Sequence, residues 1–140
     1  MNTSSSSPST PSRGLHVTLW VAQLLLAVTF GMAGGMKALT PIDPLAETLP
    51  WVADSPGLAR FVGTCELAGA VGVVLPAATR IAPALTPLAA AGLGVVMVLA
   101  AGFHAMRGEF SMIPVNVALL ALAAFVAWGR WKKAPIRPKS

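Results

Sequence analysis

From Gly14 to Met36 the chain runs through 23 residues without one formal charge, and three further blocks of similar length follow. A helix rises about 1.5 Å per residue, so a run of about 20 apolar residues matches a hydrocarbon core of about 30 Å. Four such blocks in 140 residues leave little chain for anything else. Apolar residues make up 55% of the sequence and charged residues 11%, which is too little polar surface for a water-soluble domain. The sequence therefore predicts an all-α, polytopic membrane four-helix bundle.

The expected spans are 17–38, 58–77, 86–106 and 111–129, within a transmembrane domain covering 15–131. Residues 1–14, rich in Ser, Thr and Pro, read as a disordered tail. The first block is too long for a signal-peptide core and lacks a small-x-small cleavage site, so it reads as a retained helix. The stretch 40–57 holds four prolines and three acids, as an extramembrane loop with a short interfacial helix would, and Trp51 reads as a headgroup-level anchor. Pro76 is expected where the second span ends, and Pro83 and Pro87 around the first turn of the third.

Charge sets the expected orientation. Arg13, Arg80, Arg130, Lys132, Lys133, Arg137 and Lys139 fall on the side shared by both termini, against Lys37, Arg60 and Arg107 on the other. By the positive-inside rule both termini are cytoplasmic and 132–140 is a basic cytoplasmic tail. Half of the Lys and Arg lie in the last eleven residues, Arg130 included, and read as a juxtamembrane anchor facing anionic lipid. That placement argues against nucleic acid, which needs a soluble basic surface.

A single cysteine, Cys65, excludes an intrachain disulfide, a CxxC pair and a multi-cysteine metal site; in apolar surroundings it reads as packing. Helix contacts in lipid rest on small residues, and Gly31 with Gly35, Ala68 with Gly72 and Ala90 with Gly94 offer small-xxx-small faces. They set no oligomeric state, and a homo-oligomer stays open.

The polar residues inside the spans are more informative. Lys37 closes the first span, Glu66 lies two turns into the second, His104 is near the end of the third, and Asn116 is about one turn into the fourth. All four belong to the same half of the bundle, with Glu66 and Asn116 about 8 to 12 Å below the outer boundary. Arg60 and Arg107 are placed to cap this layer. A carboxylate facing lipid is costly, and Glu66 shares its helix face with Gly63, Gly69 and Ala70, which turns it inward. The arrangement fits a pocket in which Glu66 handles a proton, His104 assists, and Asn116 and Lys37 orient an oxygen-bearing ligand such as a quinone head group. It fits equally a polar clasp that holds four helices in register. Gln23, in the opposite half, reads as a lone interhelical hydrogen bond.

The stretches GMAGGMKAL (31–39), RFVGTCELAGAVGVVLP (60–76), FHAMRGE (103–109) and PVNVALLALAAFVAWGRW (114–131) resemble the DoxX-like family of small four-helix bacterial membrane proteins. The family's recurring Lys, Glu, His and Asn match Lys37, Glu66, His104 and Asn116. The resemblance implies a bacterial plasma membrane, and for the family's namesake a small subunit of a thiosulfate:quinone oxidoreductase. Other members are accessory subunits of membrane oxidoreductase or thiol-stress complexes. The function so implied is an accessory or quinone-associated subunit with an oxidoreductase partner, no covalent cofactor and quinone as ligand. The alternatives are a non-enzymatic scaffold or assembly factor, then a small carrier, which four spans without an evident repeat make difficult. No complete catalytic signature is present.

Overall fold

The computed structural model describes residues 9–140, so most of the expected N-terminal tail lies outside the described residues. Four long helices, α1 (Arg13–Leu39), α4 (Pro56–Thr79), α5 (Leu85–Met106) and α6 (Ile113–Trp128), are joined by two short ones, α2 (Ile42–Thr48) and α3 (Trp51–Asp54). A 3-10 turn, Phe110–Met112, leads into α6, and a π-helical turn, Gly129–Lys133, follows it. No strand occurs among the described residues. With the flanking turns of the last helix included, all four long helices are long and apolar enough to cross a membrane.

Local signals set where each helix begins and ends. Ser12 caps α1, its hydroxyl accepting from the Leu15 amide at 3.2 Å, and this starts the helix four residues before the expected span. At the other end Pro41 disfavours the helical region for the residue before it, and Thr40 is extended at φ −71°, ψ 137°. Pro56 occupies the first turn of α4, where its missing N–H costs nothing. Pro76 does not stop α4. The helix continues to Thr79 with Pro76 inside it, because near a helix end the ring forfeits a single hydrogen bond, that to the Gly72 carbonyl. The turn after α5 needs Gly108, at φ +71°, a conformation that a side chain would strain.

The long helices pack in the cyclic order α1, α4, α5, α6, with α1 closest against α4 and α5 against α6. Leu26, Phe30, Val73, Leu93, Met97 and Val126 fill the centre. A smaller cluster of Leu45, Trp51, Val52 and Ala59 seats the α2–α3 connection on the bundle. Trp51 is thus no headgroup anchor: it is 7% exposed and meets Phe103 of α5 edge-on, with ring centroids 5.3 Å apart. Leucines, valines and phenylalanines such as Val28, Phe61, Val71, Leu99 and Val117 are more than half exposed around the outside. Lipid is the solvent that such a surface suits.

The α1–α4 crossing is governed by glycines other than the expected pair. A Cβ on Gly34 would come within 2.8 Å of the Gly63 carbonyl and 2.9 Å of the Leu67 nitrogen. One on Gly63 would come within 2.7 Å of the Ala38 nitrogen. Gly31 and Gly35 have ordinary room, their nearest neighbours being 3.9 Å away. Ala68 is exposed, so of its pair only Gly72 touches a neighbour closely, at Ala89 of α5. Ala90 and Gly94 are both buried, Gly94 facing Leu120 and Ala123 of α6.

Candidate functional site

The end of the bundle that carries both chain termini is called here the termini end, and the opposite one the loop end. The backbone-to-backbone approach of Gly34 and Gly63 lies at the loop end, and its consequence is chemical. One helical turn beyond Gly34 comes Lys37, and one turn beyond Gly63 comes Glu66. With no side chain between the helices, the Lys37 ammonium reaches the Glu66 carboxylate, Nζ to Oε2 2.6 Å. Glu66 is 2% exposed, and turned inward as its neighbours predicted. Lys37 does not snorkel to the boundary, since its side chain is only 14% exposed. Arg60 closes the pair from above by donating from Nη1 to the Lys37 carbonyl at 2.7 Å.

His104, at the end of α5, is held from outside. Its Nδ1 lies 2.6 Å from Glu109 Oε2, and Arg107 donates from Nε to the other oxygen of the same carboxylate at 3.0 Å. These bonds, from His104 first and Arg107 second, hold the Glu109 carboxyl below its ordinary value. Arg107 also approaches Asp54 at 3.7 Å and covers the Phe103 ring. Glu109 was not among the residues singled out from the sequence. The signal for it was present: a Gly108 turn returns the chain toward the end of α5, bringing the acid back beside His104.

Asn116 sits on α6, 6% exposed, and its amide Nδ2 has no hydrogen-bond partner among the described residues. A buried amide donor is ordinarily satisfied, so an enclosed and unpaired one points to a partner the protein itself does not supply.

Lys37, Glu66, His104 and Asn116 all line one cavity of about 480 Å³. Each of the four long helices contributes to its wall, as do Leu49 and Trp51 of the short connection and Met112 of the 3-10 turn. The rest of the lining is mostly apolar and aromatic, Phe30, Phe61, Met97 and Phe103 among it. Cys65 is part of this wall as well. The volume lies in the range of small-molecule sites, which commonly combine an apolar lining with a few fixed polar groups. Arg60 and Arg107 stand outside the cavity and orient Lys37 and Glu109 respectively.

Gln23 is not a lone hydrogen bond, nor is Arg130 a lipid-facing anchor. At the termini end Gln23, fully buried, donates to the Val73 carbonyl at 2.6 Å and accepts from Arg130 Nε at 2.6 Å. Arg130 is 3% exposed. A π-helical turn follows: the Ala134 amide bonds to the Gly129 carbonyl five residues back, and the Ala134 carbonyl accepts from Arg130 Nη1 at 3.1 Å.

No curated protein and no solved structure was found to match the chain. A model of one protein family does match, over residues 21–126, well over half of the 140 residues and all four cavity groups. With four apolar helices long enough to span a bilayer, the protein is an integral, multi-pass membrane protein. The chain belongs to the DoxX-like family.

Proposed function

We propose that this protein is an accessory subunit of a membrane oxidoreductase system and that its loop-end cavity receives the head group of a quinone. One observation carries the reading: the enclosed, unpartnered amide of Asn116 in the wall of an apolar cavity that also holds Glu66 and His104. An amide N–H with no partner suits a carbonyl oxygen, and the aromatic and aliphatic walls suit a ring with an apolar tail. A bound quinone supplies a two-electron, two-proton carrier soluble in the bilayer. In this chain Asn116 hydrogen-bonds one ring oxygen. Lys37 and Glu66 form an ion pair through which a proton is held near the head group, and His104, backed by Glu109, provides a second proton-handling group. Arg60 and Arg107 are positioning residues. The chain resides in a bacterial plasma membrane with both termini cytoplasmic, a placement supported by its seven termini-end cations against three at the loop end.

The reading is tested by the thermal midpoint of the detergent-purified protein with and without a menaquinone or ubiquinone analogue. A saturable upward shift that Asn116→Leu abolishes is expected. No shift in the wild type removes the physical basis of the proposal.

A second reading, a scaffold or assembly factor whose polar layer only fixes helix packing, is favoured by the Lys37–Glu66 pair, which is already closed at 2.6 Å. It predicts that Glu66→Gln lowers stability and leaves biological activity intact.

A further inference from the structure

We propose that the termini end of the bundle contains a phosphate-binding site built on Arg130, separate from the loop-end cavity and independent of the function proposed for it. All five acidic residues of the chain, Asp43, Glu47, Asp54, Glu66 and Glu109, lie in the loop-end half. Arg130 is therefore a buried cation with no side-chain carboxylate in its half of the molecule. Its hydrogen-bond partners are all neutral: Nε donates to Gln23 Oε1 at 2.6 Å, and Nη1 to the Ala134 carbonyl at 3.1 Å. Nη1 also faces His16 Nδ1 at 3.1 Å, and the guanidinium lies 5.5 Å from the centroid of the Trp20 ring. The third nitrogen, Nη2, is enclosed and has no partner among the described residues. A buried charge without a counter-charge is unfavourable, and a guanidinium with a free nitrogen presents the donors that oxyanions bind.

His16 points the same way. Trp20 donates from Nε1 to His16 Nε2 at 3.2 Å, while Arg130 Nη1 lies against Nδ1. A neutral imidazole carries one ring N–H and can accept at one nitrogen only, so one of these contacts sets two donors face to face. An oxyanion between His16 and Arg130 accepts from both and removes the conflict. His16 is exposed, which gives the site an approach from the surface, and the exposed Lys132 and Lys133, close to Arg130 in the chain, add positive charge at this end. Trp20, Trp128 and Trp131 at this end are residues that favour the membrane–water boundary, where lipid phosphates lie.

The chain after α6 contacts the guanidinium. The Ala134 carbonyl rests on the guanidinium, and the segment beyond it is tied to the end of α4. There the Lys139 amide donates to the Arg80 carbonyl, and Arg80 donates to the carbonyls of Arg137 and Pro138. The Arg80 side-chain ties are exposed to solvent, so residues 137–139 lift at small cost while buried Ala134 stays bonded to Gly129 and Arg130, and phosphate approaches Nη2 from the freed side.

The phosphate comes from one of two sources, a phospholipid head group or a free phosphate, and the experiment separates them. The full chain is purified in a phosphate-free maltoside detergent and its thermal midpoint followed while phosphatidylglycerol is added in one arm and inorganic phosphate in the other. A saturable rise of about 4 °C in at least one arm is expected. A rise in the first arm alone assigns the site to lipid; a rise with inorganic phosphate assigns it to a soluble phosphate. Arg130→Gln, which keeps an amide for Gln23 but no charge, abolishes the rise. His16→Ala, a change at an exposed position, reduces it at least about twofold and carries the test by itself where Arg130→Gln does not fold. The double change Lys132→Gln, Lys133→Gln leaves most of it in place. No saturable rise in either arm overturns the proposal. So does a full rise in either folded site variant, or loss of the rise on neutralising the two lysines, which reports a diffuse basic surface and no built site.

Discussion

The two ends of this bundle bury polar groups in opposite ways. At the loop end a carboxylate and an ammonium neutralise each other, and beside them an enclosed, unpaired amide belongs to a residue of the cavity wall. At the termini end a guanidinium is packed among neutral acceptors, its unpaired nitrogen enclosed by the chain itself. The cause is the distribution of acids, which the sequence confines to residues 43–109. Where acids are available, charge is satisfied internally and the remaining unpaired donor is a neutral amide. Where there are none, the cation spends its hydrogen bonds on helix packing and still lacks a counter-charge. Burial alone therefore does not separate a binding group from a structural one; the charge balance and the adjoining space do.

The largest effect should come from breaking the pair at the loop end. Lys37→Met leaves Glu66 buried without its cation and is expected to cost about 3–5 kcal/mol of bundle stability, read by denaturant or thermal unfolding in detergent. Adding Glu66→Gln to it should recover a good part of that loss, and a double variant no more stable than Lys37→Met argues against the pair as described. Next comes the crossing that brings the pair together. Gly34→Ala, whose new Cβ meets backbone of α4, should cost about 1–3 kcal/mol, while Gly31→Ala and Gly35→Ala stay within about 0.5 kcal/mol of the parent.

At the termini end Gln23→Leu removes the side-chain donor to the Val73 carbonyl and leaves Arg130 Nε without a partner, with an expected loss of about 1–3 kcal/mol. Asn116→Leu sharpens the contrast, because an amide with no partner contributes nothing to the fold. Its removal should leave unliganded stability unchanged or slightly higher while abolishing the quinone-analogue shift.

The smallest effect is that of pH on Glu109. Its carboxyl titrates lower in the folded chain than in the unfolded one, so its bonds to His104 and Arg107 stabilise fully above the ordinary value of 4.5. The contribution is lost as pH falls through the depressed value. A shallow acid limb in the midpoint-against-pH profile, flattened by Glu109→Gln, is the expected signature; an unaltered limb argues against it.

Residues of one kind were read rightly or wrongly according to what surrounded them. Glu66 was legible because an acid in an apolar span has few alternatives to facing inward, and its small neighbours marked the inward face. Arg130 was misread because it sits in a run of cations at the end of a span, where lipid-facing cations are the rule, and its partner Gln23 lies 107 residues away. Trp51 was misread for the related reason that a tryptophan in a proline-rich loop fits an interface as well as a core; contact with Phe103, 52 residues away, decides between them. The small-residue pairs illustrate degeneracy. In a helix with Gly31, Gly34 and Gly35, spacing alone does not reveal which glycine faces α4.

What the sequence determined by itself is the solvent and the architecture. Four apolar blocks of span length admit helices in lipid and little else, since backbone N–H and C=O groups in hydrocarbon must be satisfied within each segment. It also determined the shared depth of Lys37, Glu66, His104 and Asn116, because helical rise converts residue number directly into position across the bilayer. Only the tertiary structure decided the rest: the rotation of each helix about its axis, which joins Lys37 to Glu66, opens the cavity beside Asn116 and turns Arg130 inward. In lipid that rotation is chosen by close packing between helices and not by hydrophobic patterning, for both faces of every span are apolar and only contact tells them apart.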